Sequence, residues 1–183
     1  MAICIGVIDC GEQYNETFKN YSNKVLLLFE IQGETVIVDG KQEPRWLSKE
    51  YTASLSEKAK LVKDVTSWRA RPFTEDEMSE DGSGFDLTSL GGLPCMLTVI
   101  VRSGKNGDYN QIENISPVPK GIPTPTTDQE ILIFDIDNRD EAVFDVLPEW
   151  IQTKIRKSTQ YAQNPPDQPT DIPEEEKEEE CPI

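Results

Sequence analysis

Arg45-Trp46-Leu47-Ser48-Lys49-Glu50-Tyr51-Thr52-Ala53, followed at once by Ser54-Leu55-Ser56-Glu57, is the stretch on which the fold reading turns. The first nine residues are rich in aromatic and extended-favouring types and follow Pro44, which predicts a strand. The next four fit a reciprocal capping box, Ser with Glu three residues on, which predicts the start of a helix. Leu55, Ala59, Val62, Val65 and Trp68 then recur at three- and four-residue steps, one apolar stripe that Pro72 ends.

Working outward, two strands precede this pair and two follow it. Residues 2–9 form an apolar, β-branched run, readable as a strand buried on one face or both. A polar, turn-rich stretch from Glu12 to Asn23 leads to a second strand, Lys24 to Ile31, with a short continuation at Thr35–Asp39 that Gly40 ends. After an acidic loop running to about Gly92, Pro94–Arg102 and Tyr109–Ser116 read as the fourth and fifth strands around the turn-rich residues 103–107. Five strands with a helix between the third and fourth is the element order of an oligonucleotide-binding (OB) barrel. The expectation is therefore a mainly β fold: a five-stranded OB barrel over residues 1–120, an extension over 121–162, and a disordered acidic tail over 163–183. In the extension, Ile131–Ile136 predicts an extra strand and Phe144–Tyr161 a C-terminal helix, with Pro148 in its first turn.

Charge is unevenly placed. The chain of 183 residues carries a net −16 and has no His. Residues 121–183 hold 16 acidic and 5 basic side chains. Six further acids crowd residues 75–86, so the rest of the first 120 residues is close to neutral and can carry a local cationic groove. The absence of His removes the usual Ser-His and Cys-His nucleophiles, imidazole bases and His metal ligands. No phosphate-binding glycine loop is present. No enzyme activity, cofactor or metal is expected. Asp135, Asp137 and Asp140 could be read as oxygen ligands, but acidic groups of this size are common in exposed loops. Cys4, Cys10, Cys95 and Cys181 lack metal-type spacing and read as free thiols of a reduced compartment, here the cytoplasm. No segment has the apolar length of a membrane span, and no membrane partner is expected.

Binding unpaired nucleic acid needs rings on which bases stack and cations along the phosphate path. Candidates for contact with single-stranded DNA are Lys24, Arg45, Trp46, Lys49, Arg102, Lys105 and Tyr109, with Tyr14, Phe18 and Tyr21 in the first connection. Side chains alternate along a strand, so Trp46 and Tyr51 face opposite sides and only one of them can serve the groove, with Tyr51 the better core residue. Arg69 and Arg71 could reach phosphate, but cations suit a helix C-terminus in any case. The tail ends Glu178-Glu179-Glu180-Cys181-Pro182-Ile183, an anionic stretch followed by an apolar terminus that could dock on a partner protein.

Several of these stretches resemble a small family of bacteriophage proteins from replication and recombination modules. They are Pro44 to Thr52, Leu55 to Ala59, Trp68-Arg69, Arg71 to Thr74, Phe85-Asp86-Leu87, Gly92-x-Pro94-Cys95, Ile115 to Gly121 and Leu147 to Ile151. The resemblance spans roughly residues 1–161. It implies an OB fold and non-sequence-specific single-stranded DNA binding inside a bacterial host cell. The last six residues are similar to the acidic tip of bacterial single-stranded DNA-binding proteins, with Cys181 and Ile183 in place of the usual Ile and Phe. That similarity implies recruitment of replication or recombination proteins. Self-association is left open by the sequence. The competing expectation is an acidic interaction protein, a DNA mimic that occupies a partner's nucleic-acid groove. A metal-dependent nuclease using the Asp135 group ranks third.

Overall fold

The computed structural model describes residues 1–79, 84–105 and 107–163. Six strands and five short α-helices follow in the order β1 (Ala2–Asn15), β2 (Asn20–Val38), β3 (Lys41–Thr52), α1 (Lys60–Arg69), α2 (Glu75–Met78), β4 (Pro94–Gly104), β5 (Gly107–Ser116), β6 (Leu132–Phe134), α3 (Glu141–Val146), α4 (Glu149–Arg156) and α5 (Thr159–Gln163). A 3-10 turn at Leu87–Leu90 precedes β4.

The sheet has the order β3-β2-β1-β4-β5, with β6 attached to β1. β1 pairs with β2 along most of its length. Its other side is divided: Ala2 and Ile3 meet Cys95 and Pro94 of β4, and Gly6–Ile8 meet β6 in parallel. The expected strands are all present and mostly longer than hydrophobic pattern alone indicates. The polar stretch Glu12 to Asn23, expected as a loop, forms a ladder from Glu12↔Asn23 to Asn15↔Asn20. Backbone pairing needs no apolar alternation, so such a ladder leaves little trace in the sequence.

Ala2–Ile8 of β1 and Val25–Phe29 of β2 are buried on both faces, which explains their unbroken apolar runs. Cys4, Val7, Leu27 and Phe29 face a main core that includes Leu61, Val65 and Trp68 of α1 and Ile112 and Ile115 of β5. Ile3, Ile5, Ile8, Leu26 and Leu28 face a second core built with Phe134, Phe144, Ile151 and Ile155. The 121–162 segment thus forms a layer over the opposite face of the same strands. Within it the expected strand appears as β6. The expected single helix is divided into α3, α4 and α5. Pro148 lacks an N–H and holds Leu147 extended at ψ 144, and α4 restarts behind it. Gly11, at φ +67, lets α5 approach β1: a Cβ there would lie 2.8 Å from Ser158, and Glu12 N–H donates to Gln160 Oε1 at 2.8 Å.

Two further sequence expectations differ in the structure. The capping box at Ser54–Glu57 does not form; Ser54 Oγ accepts from Ser56 N–H in a local turn, and the helix begins at Lys60. A capping box forms instead at Thr74–Glu77, ahead of α2. The expected barrel closure also has no backbone ladder: among the described residues no strand pairing joins β3 to β5, the two ends of the sheet. Side chains bridge that seam. No helix among the described residues is long and apolar enough to cross a membrane. The acidic tail, expected to be disordered, lies outside the described residues from 164 onward.

Candidate nucleic-acid interface

Alternation along β3 sorts the candidate residues to two faces. Leu47, Lys49 and Tyr51 point toward the main core side, and Trp46, Ser48 and Glu50 toward the second core. Tyr51 is buried in the main core, as expected. Lys49 is only 13% exposed, and its ammonium sits 2.7 Å from Asp64 Oδ2 and donates to the Glu113 carbonyl at 3.0 Å. Tyr51 Oη donates to the same Asp64 oxygen at 2.9 Å, and Lys60 Nζ lies 2.9 Å from Oδ1. Burial and then the Asp64 carboxylate push the Tyr51 phenol well above its usual range, so it remains a donor. This network ties β3, α1 and β5 together across the seam. Lys49 is committed to it. The role of Asp64 was legible in one respect: it lies on the stripe Leu61, Asp64, Val65, Trp68, an acid at a core position of a helix.

Trp46 packs half-buried against the second core, and its indole Nε1 finds no hydrogen-bond partner. On that face Glu50 pairs with Lys154 of α4. The outer face of β2, where an OB barrel receives part of its ligand, lies under the C-terminal layer, and so does Trp46 of β3, whereas Ser48 and Glu50 remain exposed. Arg45 pairs with Glu34 at 2.9 Å and lines a hollow with Leu47, Val99 and Asn110. Lys24 donates to Thr52 Oγ1 at 2.9 Å. These four candidates do not converge on one track.

The β4–β5 hairpin does bring three candidates together. Arg102 and Tyr109 are register partners, so their side chains share a face. Both are 54% exposed. Lys105 is exposed in the turn between them. The Tyr109 ring lies across Gly104, where a Cβ would come within 3.2 Å of Cε1. Arg102 is oriented by Gln111 Oε1 at 3.1 Å and lies 3.6 Å from Glu113.

The β1–β2 hairpin presents another ring cluster. Tyr14 and Tyr21 face each other with centroids 5.0 Å apart, and both are more than half exposed. Asn15 Oδ1 accepts from the N–H groups of Thr17 and Phe18, which holds the tip that carries Phe18 outward.

Other polar groups singled out in the sequence have local duties. Arg69 and Arg71 both pair with Glu77, at 2.9 and 3.0 Å. The Thr74 N–H and then the two guanidinium groups lower the Glu77 carboxyl to about 2. Asp140 caps α3 through Ala142 N–H, and Asp135 accepts from Asp137 N–H. Among the described residues no group of three or more acidic or thiol side chains is arranged to hold a metal. Burial pushes the Cys4, Cys10 and Cys95 thiols up to about 12, which leaves them unreactive near neutral pH. Glu178, Glu179, Glu180, Cys181, Pro182 and Ile183 lie outside the described residues.

By architecture the chain is a strand-rich mixed protein: a six-stranded sheet, mostly antiparallel, with short helices over its faces. Comparison with protein-family models, curated proteins and solved structures gave no match.

Proposed function

We propose that the chain binds single-stranded DNA without sequence preference, through a body of the OB type. The setting would be phage DNA replication or recombination in the cytoplasm of a bacterial host, as the sequence resemblance implies. The observation that carries the reading is the β4–β5 hairpin, where an exposed ring, a guanidinium on the same face and a turn lysine combine stacking with phosphate contact. The strand path supports it. β3-β2-β1-β4-β5 with α1 between β3 and β4 is OB connectivity, and Lys49 with Glu113 bridges the ends that a barrel would close. In this reading Tyr109 stacks on a base, and Arg102 and Lys105 neutralise phosphates. The acidic tail recruits replication or recombination proteins.

The test is a titration with oligo-dT and with duplex DNA at two salt concentrations. Single-strand affinity should exceed duplex affinity and fall as salt rises, because counterions leave the phosphates on binding. Tyr109→Ala should weaken it about tenfold, the loss of one stacked base. Affinity that ignores salt would overturn the mechanism.

One observation favours a second reading, an acidic interaction protein or DNA mimic. The net charge is −16, and Arg45, Lys49, Lys60, Arg69, Arg71 and Lys154 are each paired with a carboxylate of the body. Removing residues 164–183 separates the two: a mimic loses its protein partner, whereas a DNA binder keeps or gains DNA affinity.

A further inference from the structure

Beyond Ile8 no strand among the described residues pairs with the side of β1 that faces away from β2, because β4 meets it only at Ala2 and Ile3 and β6 only at Gly6–Ile8. Beside Asp9 a pocket of about 300 Å³ opens, at the small end of the range for ligand sites. Its walls are apolar, formed by Val7, Val25, Leu87, Ile133 and Phe134. Three carboxylates from three separate elements line it as well: Asp9 of β1, Asp86 ahead of the 3-10 turn and Asp135 after β6. Asp86 and Asp135 are exposed at the rim, and Asp9 is half-buried. Each is oriented by a neutral local donor, Asp9 by the Gly11 N–H at 2.8 Å, Asp86 by the Thr88 N–H at 2.9 Å and Asp135 by the Asp137 N–H at 2.9 Å. None of the three pairs with a lysine or arginine of the described residues. Burial first, and then repulsion from Asp135 and Asp137, raise the Asp9 carboxyl above its usual range against the opposing Gly11 bond. A cation seated beside it relieves that repulsion.

We propose that this pocket is a docking site for a basic segment of a partner protein, which lays the apolar stem of one lysine or arginine along the walls and brings its charge to the three carboxylates. The proposal does not rest on the single-strand reading. Lysine and arginine are the side chains that combine an aliphatic stem with a charged head, the two chemistries this pocket offers together. A divalent ion is a poorer occupant, since the acidic groups of the described residues are nowhere arranged to hold a metal. The surroundings favour a peptide over a small free amine. Phe85, on the pocket wall, stacks under the Arg69 guanidinium at 4.6 Å, and Arg69 pairs with Glu77 at 2.9 Å. That contact ties the acidic helix α2, with Glu75 exposed, to the pocket wall, so the flanking cations of a basic segment meet negative charge as well. The acidic stretch 75–86 and the Asp135 group, two features with no part in stacking bases, then serve one surface. Phosphate is kept away from it, because the β4–β5 hairpin runs in the other direction, past the N-terminal end of β1.

The experiment titrates the full chain with the blocked peptide Lys-Leu-Arg-Leu-Lys and reads amide shifts by NMR. The Gly11 and Thr88 N–H groups, which donate to Asp9 and Asp86, should move first. Asp9→Asn keeps the acceptor for Gly11 and removes a half-buried charge, so it should leave the thermal midpoint unchanged or higher and weaken the peptide about fivefold or more. If the midpoint falls, the exposed Asp135→Asn replaces it with the same expectation. Ala53→Lys, at an exposed wall position, places a cation of the chain itself in the pocket and should abolish the Gly11 and Thr88 shifts. Replacing the central arginine by citrulline, equal in shape but neutral, should weaken binding by the same factor as Asp9→Asn. Peptide binding that ignores Ala53→Lys would overturn the pocket and leave only the general anionic charge of the chain. Equal binding of the citrulline peptide would overturn the role of the carboxylates. Mg²⁺ or spermidine alone reproducing the shifts, with the same response to Asp9→Asn, would overturn the protein partner in favour of a small cation. No shift at about 5 mM peptide would overturn the proposal as a whole.

Discussion

The β3 edge and the β4–β5 hairpin offer similar inventories, a long cation beside a tyrosine, and the fold uses them in opposite ways. On β3, Lys49 and Tyr51 converge on Asp64, which is 2% exposed, and the lysine reaches on to the Glu113 carbonyl. On the hairpin, Arg102 and Tyr109 stand half in solvent, and the partners of Arg102 are Gln111 and the exposed Glu113, at 3.1 and 3.6 Å. The difference follows from the seam. Where two strand edges approach without a ladder, an unpaired strand carbonyl and a buried carboxylate need donors, and the nearest lysine is consumed. Where a hairpin projects beyond the body, no such demand exists. A cation's sequence neighbours are thus a poor guide to whether it is available to a ligand.

The strongest way to break this comparison is Asp64→Ala. It leaves Lys49 and Tyr51 without their shared acceptor in a nearly dry site, and should cost about 3–5 kcal/mol, read as a lower urea midpoint. A loss below about 1 kcal/mol would mean that the network does not hold the seam. Lys49→Met is the sharper test of function. Asp64 keeps Lys60 and Tyr51, so stability should fall by only about 1–3 kcal/mol. Oligo-dT affinity at a matched folded fraction should stay within about twofold, against the about tenfold loss expected of Tyr109→Ala. Equal losses in DNA affinity from the two variants would erase the distinction between seam and hairpin.

The smallest effect concerns pH. Glu77, held by the Thr74 N–H and by Arg69 and Arg71, has its carboxyl lowered to about 2. A carboxyl lowered in the folded state contributes stability that is present above its unfolded value, about 4.3, and is lost as pH falls toward 2. Glu77→Gln should therefore reduce the thermal midpoint slightly at pH 7 and flatten its decline between about pH 4 and 2. An identical acid limb in parent and variant would remove Glu77 from the account.

Much of the body could be read from residue order. The run Val25-Leu26-Leu27-Leu28-Phe29 has no alternation, and it forms the central part of a strand buried on both sides. Val62, Val65 and Trp68 marked the buried side of α1. The start of that helix was misplaced because Ser54 and Glu57 satisfy a pattern that a local Ser54–Ser56 turn pre-empts. The polar ladder at Glu12–Asn23 was missed because its stabilising groups are backbone atoms, which every sequence has. For the site, Arg102, Lys105 and Tyr109 were found together because a hairpin makes them neighbours in both sequence and space. Trp46 and Lys49 were placed in the groove because nothing local shows that Lys154 and Asp64 meet opposite faces of their strand.

The sequence by itself determined which segments are extended, where the helical stripe lies, and which side chains could stack on a base or meet a phosphate, since these follow from local periodicity and residue chemistry. Only the tertiary structure decided which cations are spent and which face of the sheet is covered. Those outcomes depend on contacts between residues far apart in the chain, Lys49 with Asp64 and Glu113 and Glu50 with Lys154, and on the burial of Asp64 that makes its pairing with Lys49 obligatory.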